Sequence, residues 1–494
     1  MKNLRNLTTY LPVKEITTPD NPAISSLHMD SREVKTGGLF FCIKGYTVDG
    51  HDYAEQAVSN GACAVVSETD LGLNVPQVIV KDTKRAMALM ASLFYNHPTR
   101  NFRLIGVTGT NGKTTVTHLI EEILKQNGKR TGLIGTMYTK IGEQVSDTKN
   151  TTPESLLLQQ LFNKMAAAEV NTCIMEVSSH ALDLGRVRGA AFNTAVFTNL
   201  SPEHLDYHGT MEAYKYAKSL LFSQLGNTYD GERQMAVLNG DDPASADFER
   251  MTAAPVLTYG IENACDLQAQ NIKTAPAGTA FEMVTPWGNK TVQLALVGRF
   301  SVYNALAAAA ACSAEGIPLE DVVSALEKVQ GVPGRFEPVD NGQPFAVIVD
   351  YAHTPDSLEN VLQTLKELPA GNRYVVVGCG GDRDQAKRPE MARIAAAYGD
   401  YAIFTSDNPR TEDPQIILQH MAAGVEGQSN VKIILDRQQA IEWAVQNART
   451  DDVILIAGKG HETYQVVGNQ VLDFDDRLEA SKAIQKQGYR KGGC

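Results

Sequence analysis

The stretch "LIGVTGTNGKTTVTHLIEEIL", residues 104 to 124, decides the fold. It reads as a strand, a glycine turn and an amphipathic helix, and it frames Gly112, Lys113 and Thr114 in the order a phosphate-binding loop needs. Backbone amides at such a helix start cradle phosphates, Lys113 is placed to reach the outer ones, and Thr114 to ligate Mg²⁺. The general pattern G-x-x-x-x-G-K-[ST] asks for glycine at position 107, where Val107 stands with Gly106 and Gly109 on either side. A plain glycine-rich turn is the alternative, but Gly-Lys-Thr-Thr at a strand-to-helix junction is rarely accidental.

Strand signals continue in "TCIMEV" (172 to 177) and "TAVFTNL" (194 to 200), so the middle of the chain predicts an α/β fold with a mostly parallel sheet. Upstream, strand-like runs "GGLFFCIKG" (37 to 45), "ACAVVS" (62 to 67) and "PQVIVKD" (76 to 82) mix with helical stretches near 53 to 60 and 83 to 95, and "NHPTRNF" (96 to 102) reads as a linker. A second break falls at "GVPGRFEPVDNGQP" (331 to 344). Beyond it the apolar runs of "AVIVDYAHTPDS", "YVVVGCGGDRD", "YAIFTSDNPR" and "VILIAGKGHE" each end in a polar or glycine-rich loop. In an open parallel sheet such loops gather at the carboxyl ends of the strands, where ligands bind. A chain of 494 residues exceeds one ordinary domain and suggests about three. The breaks place them at 1–98, 99–332 and 333–494, all α/β.

A formal net charge of -12 disfavours nucleic acid and anionic membrane as partners, so an anionic substrate must be held locally. The seven cysteines, at 42, 63, 173, 265, 312, 379 and 494, form no CxxC pair and suit reduced core thiols. No N-terminal stretch joins basic residues to a long apolar run, and the longest apolar segment, around Ala305 to Cys312, is far short of a membrane span. A cytoplasmic protein is the expectation.

"MEVSSHALDLGRVRG" (175 to 189) puts Glu176 near a strand end, where a carboxylate could hold Mg²⁺ or stand solvated. "NLSPEHLDYHG" (199 to 209) carries His204, Asp206 and His208 without the spacing of a zinc site. In "TMEAYKYAKSLLFSQL" (210 to 225), Met211, Tyr214, Leu221, Phe222 and Leu225 share one helical face, and Lys218 projects from its middle. Such a lysine snorkels, pairs with an acid or is chemically altered, and snorkelling is the commoner fate. Arg335, Asp350 and His353 flank the second break, while Arg383, Arg410, Gly458 and Glu462 lie on the loops after successive predicted strands. Each could be a surface charge in a turn; their recurrence favours one shared site.

With these motifs the chain closely resembles the Mur ligases of peptidoglycan synthesis, and within them the MurE type, which adds the third amino acid to UDP-N-acetylmuramoyl-L-alanyl-D-glutamate. The likeness spans almost the whole sequence and rests on "MDSREVKTGGLFFCIKGYTVDG", "GTNGKTT", "NTTPES", "MEVSSHAL", "HLDYH", "YAKSLL", "GRFE", "DYAHTPDSLEN", "GCGGDRD", "DNPR" and "GKGHE", in that order. Val107 is this family's normal form.

The resemblance implies a uridine-binding N-terminal domain, a central P-loop ATPase-like domain and a Rossmann-like C-terminal domain that binds an amino acid. It implies that Met29, Ser31, Tyr46, Thr47 and Val48 grip the uridine end, and that Asn150, Thr151, Thr152, Ser178 and Arg186 hold the muramoyl dipeptide. Gly109, Thr110, Asn111, Gly112, Lys113, Thr114 and Thr115 would bind the ATP phosphates, with Asn304, Arg335, Asp350 and His353 contacting ATP across a domain interface. Thr114, Glu176, His204 and Lys218 would serve magnesium, Lys218 as a CO₂-derived carbamate. Lys113, Glu176, His204 and Lys218 are thereby the implied catalytic set. Arg383, Asp407, Asn408, Pro409, Arg410, Gly458 and Glu462 would bind the incoming amino acid, with Arg410 facing a distal carboxylate. "DNPR" is the form in members that add meso-diaminopimelate, and members that add L-lysine usually differ at the arginine.

The implied reaction is ATP-dependent amide formation through an acyl phosphate on the D-glutamyl carboxylate, with ADP released. It needs domain closure, for which 96–102 and 331–344 are natural hinges. Small-molecule substrates are the implied partners, and a monomer is expected. A folylpolyglutamate-synthetase-like ligase is a rival that would lack the first domain, and a P-loop ATPase acting as a switch is another.

Overall fold

The computed structural model of the chain describes residues 2–45, 48–227, 231, 233–368 and 371–490. Its largest sheet has eleven strands, and the strand Arg103–Thr108 lies near the middle, parallel to Thr172–Glu176 on one side and Thr194–Phe197 on the other. Val107 stands opposite both Glu176 and Val196, so the phosphate loop leaves the sheet beside the carboxylate of Glu176. Ile105 and Val107 pack on one face against Val116, Leu119, Ile120 and Ile123 of the helix Lys113–Gln126, and Leu104 belongs to the core on the other face. With both faces covered, the parallel strands read as continuous apolar runs. The sheet ends antiparallel, in the hairpin Thr139–Ile141 with Gln144–Ser146 and in the meander Leu267–Ala275, Gly278–Thr285 and Gly288–Leu294.

The N-terminal sheet has five strands, in the order Glu15–Ile16, Gln77–Ile79, Ala62–Ser67, Gly38–Phe41, Ser26–His28, parallel except for the first pair. The expected helices form at Ala54–Ser59 and Thr83–Phe94. The linker is a short turn of 3-10 helix at Pro98–Arg100, entered through left-handed Asn96 and His97.

The C-terminal sheet runs Glu337–Pro338, Ala346–Asp350, Val453–Ala457, Arg373–Val377, Tyr401–Phe404, Val431–Ile433. Its last five strands are parallel, and Asp350, Val377 and Phe404 end in register with Ala457 or with one another. The four loops singled out in the sequence therefore leave from one level. The proposed break at 331–344 is only partly a connection. Glu337–Pro338 is an antiparallel edge strand of this sheet, a position that tolerates a proline lacking its N–H.

The six described cysteines are free, and Cys494 lies outside the described residues. The apolar Ala305 to Cys312 run sits inside the buried helix Arg299–Ala314. Among the described residues no helix is long and apolar enough to cross a membrane.

Candidate active site

The loop after Arg103–Thr108 is built so that only glycine fits at two points. Gly112 has φ +86°, and a Cβ there would sit 2.5 Å from Asn304 Oδ1; at Gly109 it would sit 1.8 Å from Thr198 Oγ1. Lys113 Nζ donates to the carbonyls of Gly109 at 2.9 Å and Thr110 at 2.6 Å. Thr114 Oγ1 donates to the Glu176 carboxylate at 3.1 Å and accepts from Arg335 Nη2 at 3.0 Å. Glu176 also accepts from the amide of Thr136 at 2.9 Å and from its hydroxyl at 3.0 Å. It is a buried, ordered carboxylate rather than a solvated strand-end acid.

Lys218 does not snorkel. On the helix Met211–Ser223 it is 1% exposed, its Nζ donates to Gly109 O at 2.7 Å, and the amine lies 4.4 Å from the centroid of the Tyr214 ring. Burial, and then the charge of Lys113, holds its pKa well below that of an ordinary lysine. Burial pushes the His204 imidazole down to about 4. Glu203, beside it, was not singled out in the sequence. Burial alone would raise its carboxyl, but the hydrogen bond from His353 and the charges of His204, His353 and Lys113 outweigh this and hold it well below the carboxylate range. An acid next to the histidine in "PEH" was the available signal.

A cavity of about 430 Å³ is lined by Asn111, Gly112, Thr115, Asn304, Arg335, Asp350 and His353 among others. Asp350 accepts from the amides of Phe336 and Ala352, both at 2.7 Å. Asp356 ties the central and last parts of the chain together, accepting from Asn111 Nδ2 at 2.6 Å and Ser201 Oγ at 2.9 Å.

The C-terminal loops present the second half of the site. Asp407, Asn408 and Pro409 are buried and Arg410 is half-buried. Asn408 Nδ2 donates to Glu462 Oε2 at 2.9 Å. Lys459, fully buried and missed in the sequence reading, donates to both Asn408 Oδ1 (3.2 Å) and Glu462 Oε2 (3.0 Å). Two of the acids around Arg410 in sequence are engaged elsewhere: Glu412 pairs with Arg388, and Asp413 caps the helix Pro414–Ala422. Among the described residues Arg410 forms no ion pair, and its Nη1 donates to the carbonyl of Gly381 at 2.7 Å.

One cleft of about 610 Å³ is lined by Lys113, Thr114, Glu176, His204 and Lys218 at one end and by Arg383, Asp407, Asn408, Arg410, Gly458 and Glu462 at the other. Pro409 stands outside it, with its carbonyl against Gly381. The implied catalytic residues and most of the residues implied for the incoming amino acid thus share an enclosure of substrate size.

Residues 23–95, 107–312 and 334–460 match, respectively, the models of the Mur ligase family catalytic domain, the Mur ligase middle domain and the Mur ligase glutamate ligase domain. A protein of Halalkalibacterium halodurans named UDP-N-acetylmuramoyl-L-alanyl-D-glutamate--2,6-diaminopimelate ligase is 62% identical over 94% of this chain and 96% of its own. The chain belongs to the Mur ligase family.

A relative of the same name from Listeria monocytogenes is 52% identical over 98% of this Mur ligase and 99% of its own length. A solved structure titled with that name superposes with a TM-score of 0.68 at 35% identity, over 94% of this chain and 96% of that one. Mycobacterium tuberculosis folylpolyglutamate synthase, at 18% identity and a TM-score of 0.62, covers 76% of this chain and 92% of its own, and shares the fold.

Of the residues that the resemblance implies for the UDP-muramoyl dipeptide, Thr151 and Ser178 line the large cleft of this Mur ligase. Thr152, buried, donates to Glu176 O at 2.8 Å and accepts from the Ser178 amide at 3.1 Å. Arg186 Nη1 donates to Thr152 O at 3.2 Å, and Asn150 is exposed nearby in sequence. Met29, Ser31 and Val48 lie in the N-terminal part and line neither cavity. Met29 and Val48 are exposed, whereas the hydroxyl of Ser31 donates to Gln56 Oε1 at 2.7 Å. Tyr46 and Thr47 lie outside the described residues.

Proposed function

We propose that this Mur ligase joins meso-2,6-diaminopimelate to the D-glutamyl carboxylate of UDP-N-acetylmuramoyl-L-alanyl-D-glutamate, at the expense of ATP. The observation that carries the reading is the single cleft running from Lys113 and Thr114 to Arg410, Asp407 and Glu462. It offers a phosphate grip at one end and, at the other, a guanidinium that forms no ion pair among the described residues and shares the cleft with carboxylates, which suits a ligand ending in both a carboxylate and an ammonium.

In this reading the amides around Gly112 and the amine of Lys113 hold the ATP phosphates, and the nucleoside occupies the smaller cavity near Asn304, Asp350 and His353. The γ-phosphoryl group passes to the D-glutamyl carboxylate, the amine of the amino acid attacks the acyl phosphate, and phosphate leaves. Thr114, Glu176 and His204, with Lys218 as its carbamate, would hold magnesium, which supplies charge neutralisation at the phosphates. Thr114 and Glu176 offer the oxygen donors that a hard cation prefers, and His204 adds a nitrogen. Among the described residues no three or more His, Cys, Asp or Glu side chains are grouped so as to hold a metal ion by themselves. Each of the segments 1–98, 99–332 and 333–494 carries one of the three large sheets, and we take them as the uridine-binding, ATP-binding and amino-acid-binding domains.

A competition assay between diaminopimelate and L-lysine tests the choice of amino acid: preferential incorporation of diaminopimelate is expected, and equal use of the two would refute it. The ligase reading itself requires ADP release that depends on both the UDP-dipeptide and the amino acid. ATPase activity with Mg²⁺ alone, unchanged by both, would overturn it.

A further inference from the structure

Beneath the amino-acid end of the cleft lies a charged pair that does not line it. Arg388, in the first turn of the helix Lys387–Tyr398, is fully buried. Its Nη1 donates to Glu412 Oε2 at 2.9 Å and its Nη2 to Glu412 Oε1 at 2.8 Å, a bidentate fork. Nη1 also donates to His420 Nδ1 at 3.0 Å, and Nη2 to the carbonyl of Gly380 at 3.2 Å. Glu412 Oε1 in turn accepts the amide of Asp382 at 2.5 Å. The pair therefore touches two loops at once, 380–382 and 408–412.

The seam between these loops is close. Gly381 donates its amide to Asn408 O at 2.9 Å, and Thr411 donates its amide and hydroxyl to the Asp382 carboxylate at 3.1 and 2.8 Å. A Cβ on Gly381 would lie 1.9 Å from Pro409 O. Asp382 and Arg410 both hold left-handed backbones, φ 53° and 52°, a conformation that persists only where the surroundings enforce it. Arg410 has one guanidinium hydrogen bond among the described residues, to Gly381 O. Its anchor is thus a carbonyl on the very loop that Arg388 and Glu412 fasten.

We propose that Arg388 and Glu412 are positioning residues for amino-acid specificity: their fork fixes loop 380–382 against loop 408–412 and so fixes where Arg410 presents its guanidinium to the ligand's distal carboxylate. The proposal rests on the reading of Arg410 given above. A planar fork binds a carboxylate well in one orientation, so a displacement of about 1 Å at its anchor can cost up to about a hundredfold. The loss falls on the ligand that carries the distal carboxylate, and the phosphate end of the cleft is untouched.

The test uses the full-length enzyme with Glu412→Gln, Arg388→Lys, Arg410→Ala and the double variant Arg410→Ala/Glu412→Gln. Steady-state KM and kcat for diaminopimelate, KM for ATP and kcat/KM for L-lysine are measured. Glu412→Gln, which keeps the shape and weakens the fork, is expected to raise KM for diaminopimelate by about tenfold or more. kcat, KM for ATP and the use of lysine should stay within about twofold. Arg388→Lys keeps the charge but loses the fork and should behave alike. In the Arg410→Ala background Glu412→Gln should add nothing further, because the guanidinium it positions is gone. The proposal is overturned if Glu412→Gln impairs lysine and diaminopimelate equally, or if its effect multiplies that of Arg410→Ala. Should Arg410→Ala leave the preference between the two amino acids intact, the underlying reading of Arg410 fails instead.

Discussion

Replacing Asp476 with alanine tests how the strand-end loops of the C-terminal sheet are supported. Arg437 and Asp476 are both sealed from solvent, and the guanidinium donates to the carboxylate through Nε and Nη2, each at 2.7 Å. Nη2 also donates to Ala457 O at 3.0 Å, immediately before Gly458, and Nη1 reaches Ser406 O at 3.5 Å, immediately before Asp407. Asp476→Ala leaves a buried guanidinium without its counter-charge, which costs about 3–5 kcal/mol. With a urea m-value of about 2 kcal/mol/M, the unfolding midpoint of this part of the chain should fall by roughly 2 M. The chain has two tryptophans, and Trp443 packs near Tyr374 and Tyr401 in the C-terminal sheet, so its fluorescence in a Trp287→Phe background reports this region. The double replacement Arg437→Met with Asp476→Leu should be milder than Asp476→Ala, since it leaves no charge behind. A loss below about 1 kcal/mol for the single variant, or a double variant as unstable as the single, would refute the reasoning.

Arg410→Ala should lower kcat/KM for diaminopimelate by about a hundredfold, the equivalent of roughly 3 kcal/mol, with little effect on KM for ATP; steady-state kinetics decide it. Gly112→Ala should sharply weaken nucleotide binding by calorimetry, because φ +86° and a Cβ 2.5 Å from Asn304 Oδ1 both oppose it. Lys218→Met should fold but lose amide formation, and a mass increase of one CO₂ on the wild-type chain, absent in the variant, would be its companion signature. His461, whose Nδ1 is buried without a partner among the described residues, is pushed by burial, and then by the charge of Arg335, down to about 3 from 6.5. The unfolded chain takes up this proton before the folded one, so stability is complete above pH 6.5 and falls as the pH drops toward 3. The slope reaches about 1.4 kcal/mol per pH unit. Urea titrations at several pH values should show a flatter slope for His461→Gln.

The phosphate loop was legible because every requirement is local: the strand, the glycines and the helix face of Val116, Leu119, Ile120 and Ile123 lie within one short stretch. The four C-terminal loops were legible because their strands are buried on both faces and therefore apolar throughout. The meander Leu267–Thr285–Leu294 was not, because its strands alternate buried and exposed residues and carry many polar side chains. The hairpin Tyr464–Val467 with Gln470–Asp473 is mostly exposed and gives no core signal. In the site, Lys218 was found from helical spacing alone, but its burial was not, since the acceptor Gly109 O is far away in sequence. Distance likewise hid the pairing of Arg388 with Glu412 and of Lys459 with Asn408, whose partners are chosen only when the loops meet.

Arg410 also carries a cost in its own backbone. At φ 52° an L-residue gives up roughly 1–2 kcal/mol that glycine would not. The substitution that would most relax this turn is therefore the one that would remove its cation, and ranking variants by thermal stability alone would favour it. A thermostabilised version of this enzyme could arise that is more robust and indifferent to which amino acid it incorporates, so screens for hardiness should be paired with a measure of substrate choice.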